Sequence, residues 1–573
     1  MLRPVSLILF VLLVASLTAC APATGPTSAG GGASGGESPR PGPQRTLTIA
    51  LRGEPPSLAA KPVVAFTNAL RPPLNLFNAQ LDFTDEREVA FPYLAEAIPQ
   101  LNTDTWRLLP DGGMETTYRL KPSLRWQDGT PLSAEDFVFA WRVYATPQLG
   151  VGSSPPIGFM QEVIAPDPST VVIRWKQPYA EAASLRDDFQ ALPRHILQES
   201  FQGMDPVAFS ALPFWGPEYV GLGAYKLDHW EPGAYIEASA FDGFVLGKPK
   251  IDRVRLMFIS DPNTALANVL AGEAHYVGEY VFNEDHAITL EREWSGNQGG
   301  AVLYAPTALR TSVFQMRPDY ADPQGILDPR VRRAVAHGID PETVNEVLNN
   351  AKGIVTPSLT SPRVDFYPEI DRAIAKYPYD SRRTQQLMEE AGFVKGGDGF
   401  FAARDGTPFR LGVWSSSGTK NEQENAVIVD SLRKSGIDAS RNVFSAAQLA
   451  DSQARTLIPG LSTRGQATKP LQAYISEQIP RPENRWAGEN RAGWSNAEYD
   501  RAFDAFSRTL DRREQIRQTV EMERLFTENL PAIPHWFNPS VTAYVGNLRG
   551  PVARQTPDSP TAIFHIHQWE WRS

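Results

Sequence analysis

One cysteine in 573 residues, Cys20, rules out any intramolecular disulfide, so this chain must hold its fold by burial and hydrogen bonding alone. The length lies well past the size at which one hydrophobic core stops growing, and two or more lobes are expected. Apolar residues make up 42% and charged residues 21%, the ordinary balance of a soluble globular chain. The formal charge is −10, which repels phosphate backbones and argues against nucleic acid as a partner.

The position of the cysteine carries as much as its scarcity. Arg3 supplies a positive start, and Val5 to Ala15 an apolar run of signal-peptide length, short of the ~20 residues that span a bilayer. Leu17-Thr18-Ala19-Cys20 follows and resembles the lipobox of bacterial lipoproteins, in which Cys20 would receive lipid and become the mature N-terminus. A short membrane anchor and a plain cleaved signal are the alternatives. Ala21 to Gln44 is Gly-, Pro-, Ser-, Thr- and Ala-rich, with Glu37 and Arg40 its only charges, and reads as a flexible tether. Its reach is roughly 25–30 Å. The expectation is a lipid-anchored protein on the extracytoplasmic face, periplasmic or at the cell surface.

Beyond residue 45 the local signals alternate between strand and helix. Arg45 to Leu51 alternates polar and apolar residues, predicting a half-buried strand. Tyr118, Leu120 and Leu124 lie in another extended stretch, ended by the turn cluster Gln127 to Pro131. Ser133 stands three residues before Asp136 as a capping box, and Phe137, Ala140, Trp141 and Tyr144 make one helical face. Asp328-Pro329 and Asp340-Pro341 each place a capping acid before a proline at the first helical position. Asp380 caps a helix stopped by Gly392, and Asn425 to Ser435 predicts another. Phe409 to Trp414 reads as a strand. Tyr499, Ala502, Phe503, Phe506 and Leu510 form a helical stripe, and a last helix ends before Pro531. The mix predicts α/β layers in more than one lobe.

Six blocks in order give the chain a family likeness. They are Tyr93-Leu94-Ala95-Glu96; Tyr118 to Lys121 with Leu124 to Phe137; Leu192 to Leu197; Val220 to Leu227; Pro329 to Ala334 with Gly338-Ile339-Asp340; and Tyr379-Asp380 with Glu390 to Phe393. Together they resemble the extracellular solute-binding proteins of the peptide/nickel class, family 5, which serve ABC importers. The resemblance covers about 46 to 550 and implies a bilobal α/β fold of the periplasmic-binding-protein type (type II, cluster C). Lobe I would comprise 45–75, 215–308 and 541–573, with an extra subdomain at 76–214, and lobe II 309–540. Two crossovers near 305–312 and 535–542 would hinge the lobes. The implied protein is a monomer that captures a peptide or related polar solute and passes it to permease subunits; the resemblance includes nickel binders, but the scarcity of ligands argues against a metal, and no cofactor is expected.

Three departures stand out. Gly223-Ala224-Tyr225 replaces the usual Gly-Pro-Tyr, and His275 stands where the family generally has Asp. Peptide-binding members typically hold the peptide's α-amino group with an Asp in a segment matching about 455–480. No Asp occurs between Asp451 and Asp500, and Arg464 would oppose a buried ammonium. An anionic, polar or sugar-like ligand gains ground, with peptide resting on the family alone. Candidate ligand residues are Phe66, Thr67 and Asn68 at the first-lobe cleft edge, Trp414 and Ser416 at a strand end, and Arg464. Trp414 is either a stacking platform or a core aromatic, and Arg464 either a ligand contact or a surface charge.

An exported hydrolase acting on cell-wall or peptide substrates is the competing class. Ser417-x-x-Lys420 and Ser431-x-x-Lys434 both match the serine–lysine pattern of penicillin-recognising enzymes, but no Ser-Asp-Asn element accompanies them. His565 and His567 would share one face of a strand, too few ligands for a metal site with only His535 near in sequence. Arg330, Arg332 and Arg333 read as a solvated helix face with a structural place in the family block. A signalling co-receptor on the same fold is a third possibility.

Overall fold

The computed structural model describes residues 46–59, 73–149, 156–296, 299–466, 469–557 and 561–572. Cys20, the expected leader and tether, and Phe66, Thr67 and Asn68 lie outside the described residues.

The main sheet is built from β1 (Thr46–Leu51), β2 (Tyr225–Glu231), β3 (Tyr235–Ala240), β4 (Arg253–Phe258), β5 (Tyr276–Phe282), β6 (Gly300–Phe314), β7 (Ile354–Val355), β8 (Arg410–Ser415), β9 (Asp438–Val443), β10 (Leu461–Gly465) and β11 (Ala532–Val545). Their order is β9-β8-β10-β6-β11-β5-β1-β4-β3-β2, with β7 paired to β11. Each arm contains a parallel triplet. In the first, β1 runs parallel to β4 and β5; in the second, β8 runs parallel to β9 and β10. Position in the first triplet overrides the alternation of β1. It is buried throughout except at Thr46, because Leu47, Ile49 and Leu51 enter one apolar cluster while Ala50 faces another. Two further clusters cover the opposite faces of the second arm.

Among the described residues, only β6 and β11 join the arms within the sheet. Gly300 to Pro306 pairs with Pro539 to Val545, and Leu309 to Val313 with Ala532 to Phe537. Between these halves the register shifts, and Pro306 faces Pro539. Neither proline has an N–H to donate, so the ladder is weakest where the arms meet. A separate four-stranded sheet, spanning Trp106–Leu108, Met114–Arg119, Thr170–Trp175 and Met160–Asp167 in that order, shares the first arm's apolar cluster. This is the expected bilobal α/β class.

The helices that matter below are α1 (Ala134–Tyr144), α2 (Glu284–Trp294), α3 (Pro329–His337), α4 (Pro341–Asn349), α5 (Ser381–Glu390), α6 (Thr419–Lys434), α7 (Ser452–Thr456), α8 (Ala497–Arg508) and α9 (Arg512–Asn529). The caps read from sequence are in place: Asp136 accepts from the Ser133 amide at 2.9 Å, and Asp328, Asp340 and Asp380 cap α3, α4 and α5. Other expectations shift. α6 begins at Thr419, six residues before Asn425, and Leu510 falls beyond the end of α8. His565 and His567 lie not on a strand but in a 3-10 turn over Ala562–Gln568, their ring centres 6.5 Å apart. Burial pushes the His567 imidazole down to about 4. Arg332 is not solvated: it is 3% exposed, donating to the carbonyls of Ile326, Leu327 and Asn529, and the last of these ties α3 to the C-terminal end of α9.

Candidate functional site

Three of the sequence blocks meet in one structural knot. Gln127 donates to the carbonyls of Gly223 and Tyr225 at 3.1 and 2.7 Å and accepts from the Gly221 amide at 3.0 Å. Asp128 contacts His195 Nε2 at 2.7 Å, and Asp136 accepts from the Arg194 amide at 3.0 Å. A Cβ at Gly221 or Gly223 would collide with the carbonyls of Phe77 and Leu76, which explains both glycines. These residues assemble the first arm. His275 Nδ1 accepts from the Thr48 amide at 2.9 Å, and burial lowers its pKa, which favours that neutral form.

The functional geometry lies at the strand ends. Phe282 pairs near the crossover with Val541, and Tyr276 deeper with Tyr544, so β5 and its parallel neighbour β1 point their carboxyl ends at the junction. Gly465 pairs with Arg310 and Leu461 with Phe314, so β10 and its neighbour β8 point theirs at the same junction from the other side. Two parallel triplets thus oppose their carboxyl edges, the place where open α/β sheets bind ligands.

Trp414, Ser416 and Arg464 all fall on the second of these edges. Trp414 pairs in register with Ser462, and its ring lies 5.5 Å from Phe444. It is half-buried, with Nε1 lacking a hydrogen-bond partner. Ser416 is half-buried in the loop leading to Gly418 and α6. Asn425 of α6 ties the helix to β8 and β9, donating to the Val413 and Asn442 carbonyls at 3.0 and 3.1 Å. Arg464 is 15% exposed and ion-pairs with Glu489, leaving its Nη1 buried and unpartnered.

Arg464 is not alone. A narrow recess, its void about 10 Å³ and so close to one water, is lined by Val313, Gln315, Arg455, Ser462, Arg464 and Arg491 among others. Burial, then the charge of Arg464, brings the Arg491 guanidinium down to about 10. The supporting loops are fixed by buried groups. Gln315 donates to the carbonyls of Thr456 and Ile458, and Asn490 to those of Tyr474, Ile475 and Trp494. Arg317 donates to the Arg491 carbonyl at 2.8 Å. Arg455, Glu489 and Arg491 escape the sequence reading because nothing in their spacing links them; only the loops bring them to Arg464.

The arms also touch through charge. Lys420 of α6 places Nζ 3.0 Å from both carboxylate oxygens of Glu284 on α2, and Lys352 lies 3.4 Å from Glu291. At the crossover Ser312 Oγ meets His535 Nε2 at 2.7 Å, and burial, with Arg310 adding, pushes that imidazole down to about 3. These contacts redefine the hydrolase candidates. Lys420 is engaged by Glu284, Lys434 by Asp430, and Ser431 joins the Asp340 amide to the Gly338 carbonyl. Among the described residues no group of three His, Cys, Asp or Glu is placed to hold a metal ion, and no helix is long and apolar enough to cross a membrane.

Known proteins share this architecture. The chain is 25% identical over 507 residues to the oligopeptide-binding protein AppA of Bacillus subtilis, covering 86% of each. It superposes on the crystal structure of the ABC transporter substrate-binding protein CtaP of Listeria monocytogenes with a TM-score of 0.72 at 18% identity, covering 92% of this chain and 99% of that one. NikZ of Campylobacter jejuni, crystallised with Ni(L-His), gives 0.67 at 21% identity, covering 92% of this chain and all of the other (100%). The family model for bacterial extracellular solute-binding proteins, family 5 (middle region), matches residues 96–474. With that match spanning more than half its length, and the bilobal fold around it, the chain belongs to the bacterial extracellular solute-binding proteins of family 5.

Proposed function

We propose that this chain is the solute-capturing subunit of an ABC importer, holding a peptide or related polar solute between its lobes and delivering it to permease subunits. The observation that carries the reading is the pair of opposed carboxyl edges joined by only two strands of the sheet. A solute bound to one edge is enclosed when the other swings onto it, losing water and presenting a closed shape to the permease. The hinge is placed at 306–309 and 537–539, where paired prolines interrupt the ladder. The lobes divide as 45–75, 215–308 and 541–573 against 309–540, with 76–214 as the subdomain. Lys420–Glu284 and Lys352–Glu291 cross that division and would fasten the closed form. Ligand contacts are assigned to Phe66, Thr67 and Asn68 on one side, and Trp414, Ser416 and Arg464 on the other. The protein acts as a monomer, tethered through lipid on Cys20.

The relatives bind different solutes by name, an oligopeptide for AppA and a nickel–histidine complex for NikZ, so the ligand must come from experiment. Native mass spectrometry of protein purified without refolding is expected to reveal a retained small solute, intact after incubation. Consumption of a reporter peptide, abolished by Ser417→Ala, would instead establish the hydrolase. Detergent-phase partition of the full precursor, lost in Cys20→Ser, tests the anchor.

A further inference from the structure

The recess at the second-lobe edge has an excess of donors and too little negative charge. Three guanidinium groups, on Arg455, Arg464 and Arg491, surround it, while Glu489 is the acid that reaches Arg464. Arginine cannot shed its proton to relieve this crowding. Arg491 lies within ion-pairing distance of no acid among the described residues, although burial and the charges of Arg464 and Arg455 work against its own, with Glu489 pulling the other way.

The unpartnered atoms point the same way. Arg464 Nη1 and Arg455 Nε are buried without a hydrogen-bond acceptor. Trp414 Nε1 and Gln466 Nε2, on the same strand ends, are also buried and unpaired. All four are donors. Buried donors are normally satisfied, and a cluster of unsatisfied ones at a carboxyl edge marks where an acceptor-rich group enters. The positions are set in advance, because Gln315, Asn490 and Arg317 fix the segments that carry Arg455 and Arg491. Glu489 behaves as an internal stand-in: its side chain is 37% exposed, and its carboxylate occupies one arm of Arg464. With a void the size of one water, an incoming acid takes that carboxylate's place and gains the neighbouring donors.

Resting on the solute-capture reading, we propose that this recess binds the acidic end of the captured solute, a carboxylate or phosphate group, through Arg455, Arg464 and Arg491, with Glu489 as the displaced internal competitor. The solute is then an acidic peptide or a small organic acid or phosphate, bound with its negative end toward the second lobe.

The test uses calorimetry on the wild type and on Arg464→Gln, Glu489→Gln and the surface control Lys434→Gln. The probes are Glu-Glu-Glu, Gln-Gln-Gln with its C-terminus amidated, and inorganic phosphate. Wild type is expected to prefer Glu-Glu-Glu over Gln-Gln-Gln by about tenfold or more, with the preference shrinking at high salt. Arg464→Gln should weaken the acidic probe by about 10- to 100-fold, while Glu489→Gln should tighten it and Lys434→Gln leave it unchanged. A merely structural Arg464–Glu489 pair would make both variants weaken binding together. Phosphate bound more tightly than Glu-Glu-Glu assigns the phosphate source; the reverse order assigns the carboxylate. Equal affinity for the acidic and neutral tripeptides, or no binding of either acidic probe, overturns the proposal. Solute capture itself stands or falls separately, on the ligand found by native mass spectrometry.

Discussion

At the first-lobe edge Arg554 is buried 2.8 Å from Glu279, with Nη1 donating to the Pro557 carbonyl and Nη2 to the Tyr280 hydroxyl, while Nε has no acceptor. At the second-lobe edge Arg464 pairs with the half-exposed Glu489, while Arg455 and Arg491 ion-pair with no acid among the described residues. Both edges are carboxyl ends of parallel triplets on one sheet, so topology does not distinguish them. The difference lies in charge balance. The first edge carries one acid for its one arginine, although Arg554 Nε is left without an acceptor. The second is left incomplete, which weakens the empty protein locally but leaves interaction energy for a ligand.

The largest expected effect tests the closed edge. Arg554→Ala strands the Glu279 carboxylate, whose pKa burial already raises against the pull of Arg554, and should cost about 3–5 kcal/mol in urea unfolding. A loss below ~1 kcal/mol would show the pair to be dispensable and erase the contrast.

Next comes pH, which acts on the strands between the edges. The folded pKa of His535 lies below its unfolded value of about 6.5, so the unfolded chain binds more protons between the two. The stability is fully present above about pH 6.5 and is lost as pH falls toward 3. Between pH 6.5 and 4.5 this group should account for about 2 kcal/mol, measured as the flattening of the urea-midpoint profile in His535→Gln. His275, shifted in the same direction, steepens the acid limb further.

Smaller effects belong to the open edge. Arg491→Gln removes one of three like charges and is expected to leave the empty protein within about 1 kcal/mol of wild type, or to stabilise it. A loss of several kcal/mol would mean that Arg491 has a structural partner and the edge is closed after all. Smallest is Lys420→Ala, which removes a half-exposed contact between the lobes and should change unfolding by less than ~1 kcal/mol. Under the proposed closure, its visible effect should be a faster ligand off-rate by stopped-flow fluorescence.

Much of the second lobe was legible because caps are local. Asp328, Asp340 and Asp380 each act on an amide two or three residues away, within the window that sequence reading uses. Errors came where burial depends on distant neighbours. β1 alternates as an edge strand would, yet lies parallel between two others with both faces covered. Arg332 reads as an exposed basic run, but the end of α9, nearly two hundred residues away, offers it a carbonyl. Trp414 and Arg464 were reached by their place in the family pattern, whereas Arg455, Glu489 and Arg491 had no signal at all.

By itself the sequence determined the family, the order of elements, most helix starts and the missing acid opposite Arg464, since each is written in residue types at short spacing. Only the tertiary structure decided what replaces that acid. Three arginines from a short helix, a strand and a loop meet because β10 ends beside the crossover and buried amides fix the loops around it. Charge clusters of that kind are made by chain folding, and their strength depends on burial that no local window contains.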